Sequence, residues 1–162
     1  ALQNGKVVSN TETDILKITV INRYKPSKPA IGFIKGFGFK QGAMASTVAH
    51  DSHNIICVGT NDADMMKVIN SLIVCKGGIA VTDGHTAEVL PLPVAGLMGN
   101  TDGYEVARQY EAINHKARNL GGTLQAPFMT MSFMALLVIP ELKLSDQGLF
   151  DGTKFEFTSL FV

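Results

Sequence analysis

Apolar and polar positions alternate or recur along most of this chain, and the spacing predicts a run of strands followed by helices set among further strands. Leu2 to Val8 and Asp14 to Asn22 read as strands divided by the polar stretch Ser9 to Thr13. In the second, Leu16, Ile18 and Val20 would form one apolar face. Ile15, Lys17 and Thr19 would form a more polar opposite face, with Ile21 extending the apolar run. Tyr24 to Pro29 holds two prolines and reads as a loop, because each proline removes a backbone donor. Ile31 to Phe39 resumes as strand, with glycines at 32, 36 and 38 that suggest bulges. Gly42 to Ala49 and Ile55 to Gly59 are two more strands, joined by the polar corner His50-Asp51-Ser52-His53-Asn54.

A helix is predicted over 62–75. Asn61 or Asp62 can cap it, and Met65, Val68, Ile69, Leu72 and Ile73 recur at the spacing of one helical face. Gly77-Gly78 stops it. Ile79 to Thr82 and Ala87 to Leu90 form a hairpin about Asp83-Gly84, and 91–99 is a packed apolar loop. The second helix spans 103–120, with an apolar stripe of Val106, Tyr110, Ile113, Ala117 and Leu120. Asp102 and Glu105 are placed as in a capping box. Pro127 to Leu137 is apolar all round, a buried helix or a buried strand, and periodicity alone does not decide. The tail from Glu141 reads as short strands around Gly148 and Gly152, finishing on Phe155, Phe157, Leu160 and Phe161. The class is α+β, a mixed or layered β-sheet with about three helices in a single compact domain.

Composition narrows the function. With 162 residues, 46% of them hydrophobic and 17% charged, the chain can bury a sizeable core and is not disordered. Fourteen basic and fourteen acidic side chains cancel, and no Lys/Arg cluster stands out, so a nucleic-acid partner is not expected. No apolar run reaches the length of a membrane span, and no signal peptide is recognised. Cys57 and Cys75 lie in apolar runs and are expected as buried, reduced thiols, which fits a cytoplasmic setting. The chain begins on Ala rather than Met, as a piece of a longer protein would.

The corner carries the candidate chemistry, holding two of the four histidines. Three readings stand together. The corner is a turn in which Asp51 and Asn54 satisfy backbone amides; or it handles protons or contacts a substrate; or His50 and His53 are part of a metal site, although a third ligand is missing nearby. The candidates are His50, Asp51 and His53 for proton handling and Ser52 and Asn54 for substrate contact. No metal ligand set is assigned to this chain. Asp62 and Asp64 read as the acidic first turn of a helix. Gly36, Gly38 and Gly42 have the wrong spacing for a phosphate cradle and read as shaping bulged strands. Met129, Met131 and Met134 are expected as core filler, His85 and His115 as surface residues.

Five blocks support a resemblance. They are Gly36 to Asp62, Leu90 to Met98, Pro127 to Phe133, Ile139 to Ser145, and the ending Lys154 to Phe157 with Leu160 to Val162. In this order they resemble the C-terminal domain of bacterial and archaeal adenine deaminase, of the amidohydrolase superfamily, from about Val20 to the last residue. The resemblance implies a parent reaction that converts adenine and water to hypoxanthine and ammonia, in purine salvage. It also implies a barrel domain before residue 1 that carries a manganese or iron centre on a His-x-His pair and further ligands. No His-x-His occurs here, and the nearest pattern is His50-x-x-His53. On this view 1–22 are strands leading in from the barrel and 23–162 are the C-terminal domain. Its partners would be the barrel, adenine and further copies in a homo-oligomer, and it would bind no metal alone. The domain would cover or complete the barrel site. The alternative is a non-catalytic scaffold, oligomerisation or purine-binding module.

Overall fold

Both faces of the main sheet are covered, and that explains why its strands read as near-continuous apolar runs. The computed structural model describes residues 2, 3 and 5–161. The elements run β1 (Leu2–Gln3), β2 (Lys6–Val7), β3 (Ile15–Ile21), β4 (Ala30–Lys35), β5 (Ala43–Ser46), β6 (Ile55–Gly59) and α1 (Asp62–Val74). After these come β7 (Gly78–Thr82), β8 (Ala87–Pro91), α2 (Gly103–Arg118), α3 (Pro127–Phe133), β9 (Leu142–Ser145), β10 (Gly148–Asp151) and β11 (Glu156–Phe157). Six strands make one sheet in the order β4-β3-β6-β5-β7-β8, every neighbour antiparallel. A three-stranded sheet, β11-β10-β9, and the β1-β2 hairpin complete the single α+β domain.

The period-two alternation of the strands decides what each face meets. On one face Ala43, Ala45, Ile55, Cys57 and Ala80 pack against Met65, Val68, Ile69 and Leu72 of α1. The small residues let the helix lie close: a methyl group on Gly59 would collide with Met65 Cγ and approach Ala43 Cβ to 2.8 Å. Each buried Leu or Val on this helix stabilises the fold by about 1.5–3 kcal/mol. On the other face Leu16, Ile18, Val20, Met44, Ile56 and Val58 meet Phe37 and Phe39, α2 through Ile113 and Ala117, and α3 through Phe128 and Met131. Leu144 of β9 brings the small sheet onto the same side. Thr19, expected on a polar face, is buried opposite Cys57, and its hydroxyl donates to the Ala30 carbonyl at 2.7 Å.

Capping chemistry sets the helix ends. Asn61 Oδ1 accepts the Asp64 amide at 2.9 Å and its Nδ2 donates to Asp64 Oδ2 at 2.7 Å, a reciprocal cap. Asp102 accepts the amides of Tyr104 and Glu105, but Glu105 turns to Arg108 and Gln109 instead of back to the cap, so half of the expected box forms. The left-handed residue that ends α1 is Lys76, one before the glycine pair.

Several expectations are corrected. The first strand is a tight hairpin, because Gly5 takes φ +75° between β1 and β2. The strand predicted to Phe39 ends at Lys35, where Gly36 and Gly38 adopt positive φ, so these glycines shape a loop and not bulges. Ile73 points outward, 56% exposed, since the sheet covers only one side of α1. Of the apolar stretch 127–137, only the first seven residues are helical. Proline opens that helix at its first position, where a missing amide costs nothing. Met131 is buried as expected, whereas Met129 is exposed.

Candidate functional site

The corner forms where the chain leaves β5 and re-enters β6, and its backbone is held from three directions. Thr47, fully buried, accepts the Gly78 amide on Oγ1 at 2.8 Å and donates from the same hydroxyl to the Gly96 carbonyl at 2.5 Å. The His53 amide donates to the Ala49 carbonyl at 2.7 Å and closes a turn over 49–53, with His53 itself at φ +51°. The His50 amide donates to the Ser132 carbonyl at 3.2 Å, so the last turn of α3 supports the corner.

Side chains divide by depth. Asp51 and Ser52 are exposed, His50 and His53 half-buried, and Asn54 buried. The His50 ring stacks on Phe133 with centroids 5.1 Å apart and meets His53 edge-on at 5.8 Å. Nδ1 of His53 is buried and has no hydrogen-bond partner among the described residues. Burial holds the His53 imidazole below the ordinary histidine pKa, and the proximity of His50 and of the Arg23 guanidinium adds to the effect against the opposing pull of Asp51. His53 is therefore a neutral imidazole at neutral pH, able to accept a proton.

Asn54 Oδ1 accepts the Arg23 amide at 3.3 Å. Asp51 makes no hydrogen bond among the described residues, so of the two side chains in the turn reading only Asn54 serves a backbone amide. Tyr24, in the proline-containing loop, and Arg23, just before it, also join the site. Tyr24 donates its hydroxyl to the Ser52 carbonyl at 2.8 Å, and the Arg23 guanidinium lies 5.2 Å from the Tyr24 ring centre while donating to the Ala95 carbonyl. Phe133 and Asp146 were also missed; Asp146 accepts from Asn22 at 2.8 Å and lines a cleft with His50 and Ser52. Their only sequence signal was membership of the Pro127 to Phe133 block and a place directly after the Ile139 to Ser145 block.

His50 separates two clefts. One, of about 170 Å³, runs over Ala49, Asp51, Ser52, Asn54 and Asp146. The other, of about 410 Å³ and mainly apolar, lies between α2, α3 and the sheet, walled by Leu90, Tyr110, Phe128, Met129 and Ser132. The second has the size and lining of a small-molecule site.

The remaining candidates have structural partners. Asp62 forms an ion pair with Lys17 beside the start of α1, and Asp64 is in the capping pair. The amides of Gly36 and Gly38 are both taken by the Asp14 carboxylate, at 2.7 and 2.6 Å, so the glycine loop already holds an anion of its own chain. Among the described residues no group of three or more His, Cys, Asp or Glu side chains converges. That donor set does not fit the two-metal centre implied by the resemblance, and no step at this corner runs through one. No helix among the described residues is long and apolar enough to cross a membrane.

The family model for the adenine deaminase C-terminal domain matches residues 1–156. An adenine deaminase of Methanosarcina acetivorans is 56% identical over 160 residues, covering 99% of this chain and 29% of that protein. One from Sulfurovum is 56% identical over 150 residues, 92% of this chain and 28% of its own. One from Clostridium botulinum is 46% identical over 163 residues, 99% of this chain and 27% of its own. The chain thus spans less than a third of the length of these relatives.

Proposed function

We propose, because this chain belongs to the adenine deaminase C-terminal domain family, that it completes the active site of an enzyme converting adenine and water to hypoxanthine and ammonia. The observation that carries the reading is the His50–His53 pair, with rings 5.8 Å apart and a buried His53 Nδ1 that lacks a partner among the described residues. Deamination has to move a proton from the attacking water and deliver one to the departing nitrogen. A neutral imidazole such as His53 is suited to the first task, with His50 beside it as a second candidate for proton handling, and each such transfer contributes about 10²–10⁴-fold. Asp51 and Ser52, both exposed, would meet the purine edge, and Asn54 would hold the rim through Arg23.

In this reading residues 1–22 lead in from a preceding barrel, and 23–162 cap its mouth. A manganese or iron centre, where the parent enzyme carries one, lies on barrel residues. Adenine, the barrel and further copies of the chain are the partners, in a cytoplasmic enzyme of purine salvage. The second reading, a scaffold or subunit-contact module, is favoured by the exposed aromatic tail, where Phe155, Phe157 and Phe161 each stand more than half open.

The test is His50→Ala and His53→Ala in the full-length enzyme. Turnover should fall by about 10²-fold or more, with metal content and melting temperature unchanged. As a control, the 162-residue chain alone, supplied with manganese or ferrous iron, should release no ammonia. Near-normal turnover in both variants would make the corner structural. Loss of activity that follows loss of folding or assembly would favour the scaffold.

A further inference from the structure

Next to the corner, on the side of Arg23, lies the largest cleft among those described, about 880 Å³. Its charge is one-sided. Arg23, Lys25 and Lys76 line it and no carboxylate does. Among the described residues none of the three has an acidic partner within ion-pair distance.

Arg23 is also underused as a donor. A guanidinium carries five N–H groups. Among the described residues this one gives a single hydrogen bond, to the Ala95 carbonyl, while its buried Nε has no partner. The backbone around it is cut to fit. A methyl group on Gly96 would fall on the guanidinium, and one on Gly77 would lie 3.1 Å from Nη1. Glycine at both positions leaves room for a planar cation. An oxyanion seated on the guanidinium supplies acceptors that the protein itself does not. The lining also includes apolar Leu72, Ile73 and Pro93 and the exposed Tyr24 ring.

We propose that this cleft is a binding site for a small phosphate ester carried on a flat apolar body, such as a nucleoside monophosphate. Arg23 takes the phosphate oxygens through its fork of donors, Lys25 and Lys76 complete the neutralisation of a dianion, and the apolar lining and Tyr24 receive the ring. The volume lies within the range of small-molecule sites. The cleft uses neither imidazole of the corner but shares Arg23, Tyr24 and Thr47 with the corner's supports, so the lysine variant, which touches none of these three, is what separates its occupancy from the deaminase reading.

The test is calorimetric titration of the full-length protein with adenosine monophosphate, with adenosine and inorganic phosphate in parallel. The monophosphate should saturate one site per chain and bind at least about tenfold more tightly than either fragment, with affinity falling as sodium chloride rises. The double variant Lys25→Gln/Lys76→Asn should weaken it by about tenfold or more, tenfold being the effect of losing about 1.4 kcal/mol of charge attraction. Asparagine suits the φ of +61° at position 76, so folding and turnover should be kept. Arg23→Gln should abolish saturation. Equal binding of adenosine and its monophosphate, full affinity in the lysine double variant, or no saturable heat at millimolar ligand would each overturn the proposal.

Discussion

Replacing Thr47 with valine tests the support on which the corner depends. The swap keeps the shape of the side chain and removes only its hydroxyl, which the structure uses twice. Oγ1 accepts from the Gly78 amide at 2.8 Å and donates to the Gly96 carbonyl at 2.5 Å. Its 3.3 Å approach to the Gly78 carbonyl is secondary, because that carbonyl already receives the Thr47 amide at 3.0 Å. Valine therefore strands one buried N–H and one buried C=O, and a stranded donor costs about 1–3 kcal/mol. The added methyl returns less than about 0.8 kcal/mol of burial. A net loss of ~2 kcal/mol follows, or a fall in Tm of about 4–8 °C at the 2–4 °C per kcal/mol typical of this size. Thr47→Ser keeps the hydroxyl and loses a methyl, so it should cost only about 1 kcal/mol. The chain has no tryptophan, so urea unfolding is best followed by circular dichroism. The decisive comparison is the order of the variants. If the valine variant were as stable as wild type, or the serine variant less stable than the valine one, the hydroxyl would not be the link between β5, β7 and the 91–99 loop.

Two further predictions rest on titration and access. The His53 ring, followed by NMR, should titrate below the ordinary histidine value of about 6.5. Between its folded midpoint and 6.5 the unfolded chain binds the extra proton. Stability from this group is therefore complete above about pH 6.5 and declines on acidification through that window; a midpoint at or above 6.5 contradicts the burial argument. Burial pushes the Cys57 thiol far up, whereas Cys75 is half-buried. A thiol reagent should label Cys75 in the folded protein and reach Cys57 only after denaturation, when two free thiols are counted; early labelling of Cys57 would place it outside the α1 layer.

The locally coded parts of this fold are legible in the sequence. The stripe Met65, Val68, Ile69 and Leu72 and the Asp102 cap depend on neighbours within a turn or two, and both are found as expected. Ile73 fitted the same stripe and fails because the width of a covered face is set by the sheet, which local spacing does not encode. The corner was legible as a concentration of polar residues between two apolar strands. Its supports were not: Ser132 and Phe133 lie about eighty residues away in the chain, and Arg23 and Tyr24 reach it from the end of β3. Such pairings arise from how the helices and strand ends pack around the sheet and leave no periodic trace. The Asp14 carboxylate in the glycine loop is the same kind of case, an anion supplied from over twenty residues away.

The hydrogen bond from His50 to the Ser132 carbonyl and the stacking of its ring on Phe133 have a consequence for comparing proteins of this kind. A protein can keep all five residues from His50 to Asn54 and still lose the site, if an insertion between α2 and α3 shifts the later helix by a few ångströms. Conversely, a change at Phe133 alters the orientation of an imidazole it never replaces. Whether a relative retains this corner is therefore decided by two segments read together, and the short motif taken alone is an unreliable label for the chemistry.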